Sequence, residues 1–162
     1  MQFGKLLGGA FLVVTLVIGV DAVQASSHGE DHSSADSKVE EREMLMEGIG
    51  GSMGALGCYV KGQCDELKPK IAKRLAMGIA AMAQPSVEAF RTPTPMSKVK
   101  TTATPDIWKN WDKFEDGLMM MGDRAKELAK AIKGGDKVAV KAAMGELGKT
   151  CKGCHDDFRE KE

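Results

Sequence analysis

Two cysteines and a histidine near the C-terminal end of the sequence have the types and spacing of a haem-attachment site. Cys151, Cys154 and His155 form the pattern C-x-x-C-H. Two thiols three residues apart on a helical turn can reach the two vinyl groups on one edge of a porphyrin, and the adjacent imidazole can then ligate the iron. We therefore predict one covalently bound haem c.

Two other chemistries use the same residue types. A thioredoxin-like redox pair precedes a helix in an α/β pattern, but this sequence has no hairpin turn between alternating runs. A zinc site needs a fourth ligand at a matching spacing. The remaining histidines, His28 and His32, lie in a polar segment that pre-organises no site. Haem attachment is thus the favoured prediction.

The N-terminal residues 1–25 have the pattern of a secretory signal peptide. Lys5 precedes an uncharged run that is shorter than the roughly 20 residues needed to span a bilayer, and Val23-Gln24-Ala25 is a small-x-small cleavage signal. An uncleaved anchor is the alternative. Because haem c is attached outside the cytoplasm, we expect a periplasmic protein whose mature form does not span the membrane. The polar residues 26–37 predict a flexible N-terminal tail.

The remaining residues, 38–162, predict an all-α domain. Apolar residues recur at steps of three and four in four segments, over 38–61, 65–90, 105–133 and 136–160. Thr104 before Pro105 predicts the capped start of the third helix, and Gly134-Gly135 with Asp136 predict its end and the next cap. The long Pro- and Thr-rich connection 91–104 and two short connections favour an antiparallel up-down-up-down four-helix bundle.

The residues predicted to face inward share helical spacing and are mostly apolar. They are Arg42, Met46, Ile49, Met53, Leu56 and Val60; Leu67, Ile71, Leu75, Ile79 and Met82; Ile107, Trp111, Phe114, Leu118, Met121, Ala125, Leu128 and Ile132; and Val140, Met144, Leu147, Cys151, Cys154 or His155, and Phe158. Only 5% of the chain is aromatic, so a large flat cofactor between facing helices would help to fill the interior.

The sequence resembles the cytochrome c′ family, including its low-spin relatives with a methionine ligand. The resemblance covers about 38–162 and rests on four motifs in order. They are Arg42-Glu43-Met44-Leu45-Met46, Val60-Lys61-Gly62, Pro105-Asp106-Ile107-Trp108, and the segment from Gly148 to Arg159 around the cysteines. It implies a four-helix bundle in which Cys151 and Cys154 form the thioethers and His155 is the axial ligand.

The resemblance implies roles for five further residues. Met46 faces the distal side of the iron. Arg42 and Glu43 contact the haem, Arg42 near a propionate, and Thr102 also meets a propionate. Arg159 lies near the proximal imidazole. From the residues alone, an arginine four positions from Met46 on an inward stripe needs a buried anion; an Arg42 that reaches water, and a surface ion pair for Arg159, are the alternatives.

The role of Met46 separates two functions. As a sixth ligand, Met46 occupies the remaining coordination position of the iron and raises the reduction potential of the haem. These properties suit one-electron transfer between periplasmic proteins, which is the favoured function. If Met46 only packs above the iron, the haem is five-coordinate and binds NO or CO for sequestration or sensing. An enzyme is not expected, because no histidine is available as a distal acid–base group. The zero net charge argues against nucleic-acid binding.

Two features of helix one leave alternatives open. Gly50, Gly54 and Gly57 share a stripe that allows close packing on helix two, approach to the haem, or a homodimer contact through helices one and two, as in the family. Cys58 and Cys64 flank the turn that follows; in an oxidising compartment they either form a disulfide or stay free.

Overall fold

The chain folds into a four-helix bundle with one additional short helix in its long connection. A computed structural model describes residues 30–64 and 66–161; the predicted signal peptide, 1–25, and the first tail residues lie outside them. The helices are α1 (Glu30–Val60), α2 (Pro69–Phe90), α3 (Asp106–Lys109), α4 (Trp111–Gly134) and α5 (Lys137–Phe158). The four long helices form a ring in which α1 packs on α2 and α5, and α4 packs on α2 and α5. The predicted all-α bundle is confirmed.

The two ends of the bundle have different structures. At one end, the Phe114 ring in the first turn of α4 contacts Phe90 at the end of α2 and Phe158 at the end of α5, with ring centroids 5.0 and 5.3 Å apart. We call this the aromatic end. The opposite, turn end holds the two short connections, 61–68 and 135–136. A disulfide joins Cys58 to Cys64 there, which decides between the two alternatives left open by the sequence.

The connection between α4 and α5 follows the sequence prediction. Gly135 ends α4 in the left-handed conformation, with φ of 78°, which a residue without a Cβ adopts without strain. The Asp136 carboxylate accepts hydrogen bonds from the backbone N–H groups of Val138 and Ala139, at 2.8 and 3.4 Å. Two of the unpaired N–H groups of the first turn of α5 are thereby satisfied.

The N-terminal tail predicted over 26–37 is wrong from Glu30 onward, because α1 begins there. The Asp36 carboxylate accepts hydrogen bonds from Ser97 Oγ and the Lys98 N–H, at 2.8 and 2.7 Å. These bonds lower the pKa of Asp36 and fix the start of α1 to the long connection. A polar composition predicted a solvated tail, but a polar helix turn is ordered here by a partner some sixty residues away.

The predicted third helix is also corrected, because it is divided at Asn110. The backbone of Asn110 leaves the helical region, with φ of −127° and ψ of 46°, between α3 and α4. The predicted Thr104 cap is wrong as well: Pro105 occupies the cap position without a side-chain bond. The Thr104 N–H donates to Phe158 O at 2.9 Å, which holds Thr104 against the end of α5, while its carbonyl accepts from the Ile107 N–H at 3.3 Å.

The inward faces of the four long helices largely follow the predicted stripes. In the second segment Ile79 is fully buried, and Leu67, Leu75 and Met82 pack against the core as predicted, whereas Ile71 does not. The prediction placed Ile71 inward, yet it is 44% exposed, and four of the eight buried residues of α2 are alanines. A Cβ added at Gly122 of α4 would lie 2.8 Å from Ala83 Cβ of α2. The helices approach so closely that small residues form this contact.

Candidate haem site

A cavity of about 610 Å³ lies at the aromatic end, between α1, α4, α5 and the connection before α3. Its volume falls within the roughly 300–1,000 Å³ of small-molecule and cofactor pockets. All eight residues singled out from the sequence line it, and they come from three separate parts of the chain. They are Arg42, Glu43, Met46, Thr102, Cys151, Cys154, His155 and Arg159.

The C-x-x-C-H residues occupy the last two turns of α5 and face this cavity. Cys151 and Cys154 are half-buried free thiols. Burial raises the pKa of both, that of Cys154 to about 11, so at neutral pH each sulfur carries a proton. Burial, and next the positive charge of Arg159, lower the pKa of His155. Its imidazole is therefore neutral at neutral pH and has a lone pair for a metal.

Arg42 is almost fully buried, and its hydrogen bonds hold the end of α2. Its Nε donates to Ala89 O at 2.8 Å, one terminal nitrogen donates to Thr92 O at 2.6 Å, and the other donates to Thr94 Oγ1 at 2.9 Å. The guanidinium also lies over the Phe90 ring, 5.1 Å from its centroid. This role as a clamp on α2 was not predicted, because main-chain acceptors leave no mark in a sequence.

The charge of Arg42 is not neutralised by protein groups within the described part of the chain. No carboxylate there forms a salt bridge with it, and burial lowers the pKa of the guanidinium. Three of its five N–H groups make the bonds above. The side chain therefore presents a desolvated positive charge to the cavity, which an anionic group such as a propionate can neutralise.

Thr102 and Arg159 meet at the mouth of the cavity. Arg159 Nε donates to Thr102 Oγ1 at 3.3 Å. The Glu160 N–H also donates to Thr102 O at 2.8 Å. The connection before α3 is thus fastened to the end of α5, and this junction places Thr102 beside Arg159, whose backbone N–H donates to His155 O at 3.1 Å.

Met46 lines the cavity from α1, on the element that faces α5. Its thioether is half-buried, and two further methionines, Met53 and Met121, line the same cavity. Gly50 also lines it, and a Cβ added there would meet nothing within 4 Å. The alternative that Gly50 packs on helix two is therefore wrong, and a signal for its position was available, since it lies one helical turn after Met46.

The other two residues of the glycine stripe behave differently from each other. A Cβ on Gly54 would also meet nothing within 4 Å, whereas a Cβ on Gly57 would come 4.0 Å from Met144 of α5. Neither contacts α2 in this way. Close packing on helix two instead involves Gly48, where an added Cβ would lie 3.4 Å from Met82 Sδ.

A second groove, of about 650 Å³, lies on the outer side of Cys154 between α4 and α5. It contains neither Cys151 nor His155. Four of its charged side chains form two ion pairs, Lys113–Asp157 at 2.9 Å and Lys149–Glu146 at 2.7 Å. Of these two pockets in the described part of the chain, the cavity at the aromatic end combines both thiols, the imidazole and an apolar lining, and it is the candidate haem site.

Residues 37–159 match the protein family described as Cytochrome C'. The chain belongs to the cytochrome c′ family. A cytochrome c′ from Pararhodospirillum photometricum is 38% identical over 128 residues, which are 79% of this chain and all of that protein. A cytochrome c-556 from Agrobacterium tumefaciens (strain II Chrys) is 35% identical over 126 residues, 77% of this chain and 98% of that protein.

Solved structures agree with this assignment. The cytochrome c prime from Shewanella frigidimarina superposes with a TM-score of 0.69 at 28% identity, covering 78% of this chain and 97% of that chain. A nitric oxide complex of a variant of cytochrome c prime from Alcaligenes xylosoxidans superposes with a TM-score of 0.68 at 25% identity, covering 79% and 97%.

Cytochrome c′ proteins carry one covalently bound haem c, and the residues of this cavity fit that group. Two free thiols at the required spacing, a neutral imidazole, a buried cation without a carboxylate partner and three phenylalanine rings meet in one place. Within residues 30–64 and 66–161, no helix is both long and apolar enough to cross a membrane.

Proposed function

We propose that this cytochrome c′ family member is a periplasmic one-electron carrier whose iron has His155 and Met46 as its two axial ligands. The observation that carries the proposal is that Met46 of α1 and His155 of α5 line a single cavity together with the two thiols. When bound, the haem supplies a one-electron couple, and ligation by methionine and histidine raises its potential and leaves no open position.

Different side chains of the protein bind different parts of the haem. Cys151 and Cys154 would hold the haem through thioethers, each formed by addition of its S–H across a vinyl double bond, and His155 on the same helix would offer its imidazole lone pair to the iron. Arg42 directs positive charge at a propionate, using N–H groups not bound to α2. Arg159 lowers the proton affinity of His155 through its charge and so favours the ligand form.

Polar groups at the cavity mouth complete the proposed site. Glu43 is exposed on α1 and borders the opening, and Thr102 is tied to the end of α5 by the 3.3 Å bond from Arg159. We propose that Thr102 orients the second propionate and that Glu43 contacts the haem edge from the other side. Redox proteins of the periplasm exchange electrons with the group at this opening.

Binding of NO or CO is the second candidate function. It is favoured by the nitric oxide complex of the related Alcaligenes xylosoxidans variant. In this alternative Met46 packs above the iron without ligating it, and the distal position is open to a small gas.

A methionine-to-leucine pair of variants separates the two functions. Leucine conserves volume but has no sulfur, so Met46→Leu removes a ligand with little change in packing. We expect Met46→Leu to convert a low-spin spectrum to high-spin, lower the reduction potential and create CO binding. Met53→Leu, a substitution in the same cavity and on the same helix, serves as the control and is expected to leave all three properties as in the wild type.

The opposite pattern supports gas binding. If wild-type protein is high-spin and binds CO, and Met46→Leu changes only the rate or affinity of CO binding, the electron-carrier proposal is wrong. If Met53→Leu alters the spin state and Met46→Leu does not, the assignment of Met46 as the ligand is wrong.

A further inference from the structure

Eight basic side chains at the turn end are exposed, and none of them has an acidic partner among residues 30–64 and 66–161. In the described part of the chain, no carboxylate lies within 4.0 Å of any of them. They come from the first short connection, the start of α2, the end of α4 and the start of α5. They are Lys61, Lys70, Lys73, Arg74, Lys130, Lys133, Lys137 and Lys141.

Although the chain has no net charge, its charges are unevenly distributed along the bundle axis. Residues 61–74 and 124–141, which form the turn end, contain eleven bases and four acids. Residues 36–47, 88–116 and 146–162, which surround the aromatic end, contain eleven bases and fifteen acids. Most bases of the aromatic end are held in ion pairs with neighbours, whereas the turn end presents a field of unpaired positive charge.

Two apolar side chains project among these bases. Val138 follows Lys137 in the first turn of α5 and is 78% exposed, and Ile71 follows Lys70 in the first turn of α2 and is 44% exposed. The helical spacing of the sequence predicted that Ile71 is buried, and its exposure became evident only from the structure. Basic residues with intervening exposed aliphatic residues are the composition of surfaces that lie in the headgroup region of a bilayer.

The position of these residues argues against a surface for electron exchange. Lys137 and Cys151 are fourteen residues apart on one helix, which corresponds to a rise of about 21 Å along α5. A partner bound at the turn end is thus remote from the haem cavity, so this surface is better suited to attachment than to electron transfer.

We propose that the turn end docks on an anionic phospholipid surface, with the haem cavity directed away from it. Several lysines near such a surface each strengthen binding, and the attraction acts within a Debye length. Because the acidic aromatic end is repelled by the same surface, the charge distribution also orients the bundle. The inference does not depend on which ligand occupies the distal side of the iron.

The test measures binding of the mature haem-loaded protein to sedimented lipid vesicles. Vesicles of phosphatidylcholine alone and of phosphatidylcholine with phosphatidylglycerol are compared at about 0.1 M and about 1 M salt, where the Debye length is about 10 and about 3 Å. Two triple variants remove the same charge from opposite ends of the bundle. They are Lys130→Gln/Lys133→Gln/Lys137→Gln at the turn end and Lys98→Gln/Lys100→Gln/Lys161→Gln at the aromatic end.

We expect wild-type protein to bind only the vesicles with phosphatidylglycerol, and only at low salt. Since each lysine contributes about fivefold, the turn-end variant should bind roughly a hundredfold more weakly, while the aromatic-end variant binds as well as the wild type. Val138→Ser should weaken binding without changing its salt dependence. Absence of wild-type binding to anionic vesicles, equal binding to neutral ones, or equal losses in the two triple variants would overturn the proposal. Binding to acidic proteins but not to vesicles would overturn it too.

Discussion

Replacing Arg42 with methionine is expected to destabilise the bundle by about 3–5 kcal/mol. Hydrogen bonds from a charged donor contribute about 1.5–3 kcal/mol each, and Arg42 makes three of them, to Ala89 O, Thr92 O and Thr94 Oγ1. Methionine keeps contact with the Phe90 ring but leaves these acceptors without their donor. Part of the loss is offset, because a desolvated charge is no longer buried.

The assay is chemical and thermal unfolding of the holoprotein, followed by far-ultraviolet circular dichroism. A loss of this size corresponds to a decrease in Tm of roughly 10–20 °C for a domain of this length. Arg74→Met is the matched control, because Arg74 is exposed on α2 and its replacement is expected to change stability by less than about 0.5 kcal/mol. A loss below about 1 kcal/mol for Arg42→Met would refute the clamp on α2.

Three further predictions concern helix contacts away from the iron. Gly122→Ala places a methyl group 2.8 Å from Ala83 Cβ and should cost about 1–2 kcal/mol despite the helix propensity of alanine; the double variant with Ala83→Gly should recover part of this in urea unfolding, and no recovery would contradict the contact. Replacing both Cys58 and Cys64 with serine opens a short loop and should lower stability by about 2 kcal/mol, and an unchanged unfolding midpoint would count against a structural role. Asp36→Asn weakens the hydrogen bonds that lower the carboxyl pKa, so amide exchange of residues 30–38 should become faster. Since that pKa is lowered in the folded protein, the wild-type protein should show the same faster exchange as the pH falls through the pKa of Asp36. Slow exchange in both cases would mean that these residues are ordered independently of the long connection.

The fold was predictable where large apolar residues mark the buried face. The stripes through Ile49 and Leu56 of α1 and through Leu118 and Leu128 of α4 are buried as expected. In α2 the rule holds at Ile79, which is fully buried, but it fails at Ile71, which is exposed because alanines form much of the closely packed face. The helical spacing of large apolar side chains predicts burial only where the helices are far enough apart to leave room for such side chains.

The irregular parts of the fold depend on contacts that the sequence does not mark. The start of α1 is ordered by Ser97 and Lys98 of the long connection. The division of the predicted third helix accompanies the pairing of Thr104 with the end of α5. Both contacts join distant parts of the chain through polar groups, so local composition predicted a tail and an unbroken helix instead.

The membership of the site was more predictable than its internal bonding. The C-x-x-C-H motif and the resemblance to the family singled out eight residues, and all of them line one cavity. The bonds of Arg42 to Ala89 O and Thr92 O were not foreseen, since any residue type supplies a main-chain carbonyl. The contact between Thr102 and Arg159 was likewise hidden, because it depends on how the long connection returns to α5.

The absorption spectrum of the purified wild-type protein, ferric and then ferrous with and without CO, is the most direct test of the central claim. With Met46 and His155 as axial ligands, we expect a low-spin spectrum in both states and no change when CO is added. A high-spin spectrum that shifts on addition of CO would contradict the proposed ligation and favour gas binding. Absence of a covalent haem from a host able to attach it would contradict the assignment of the site itself.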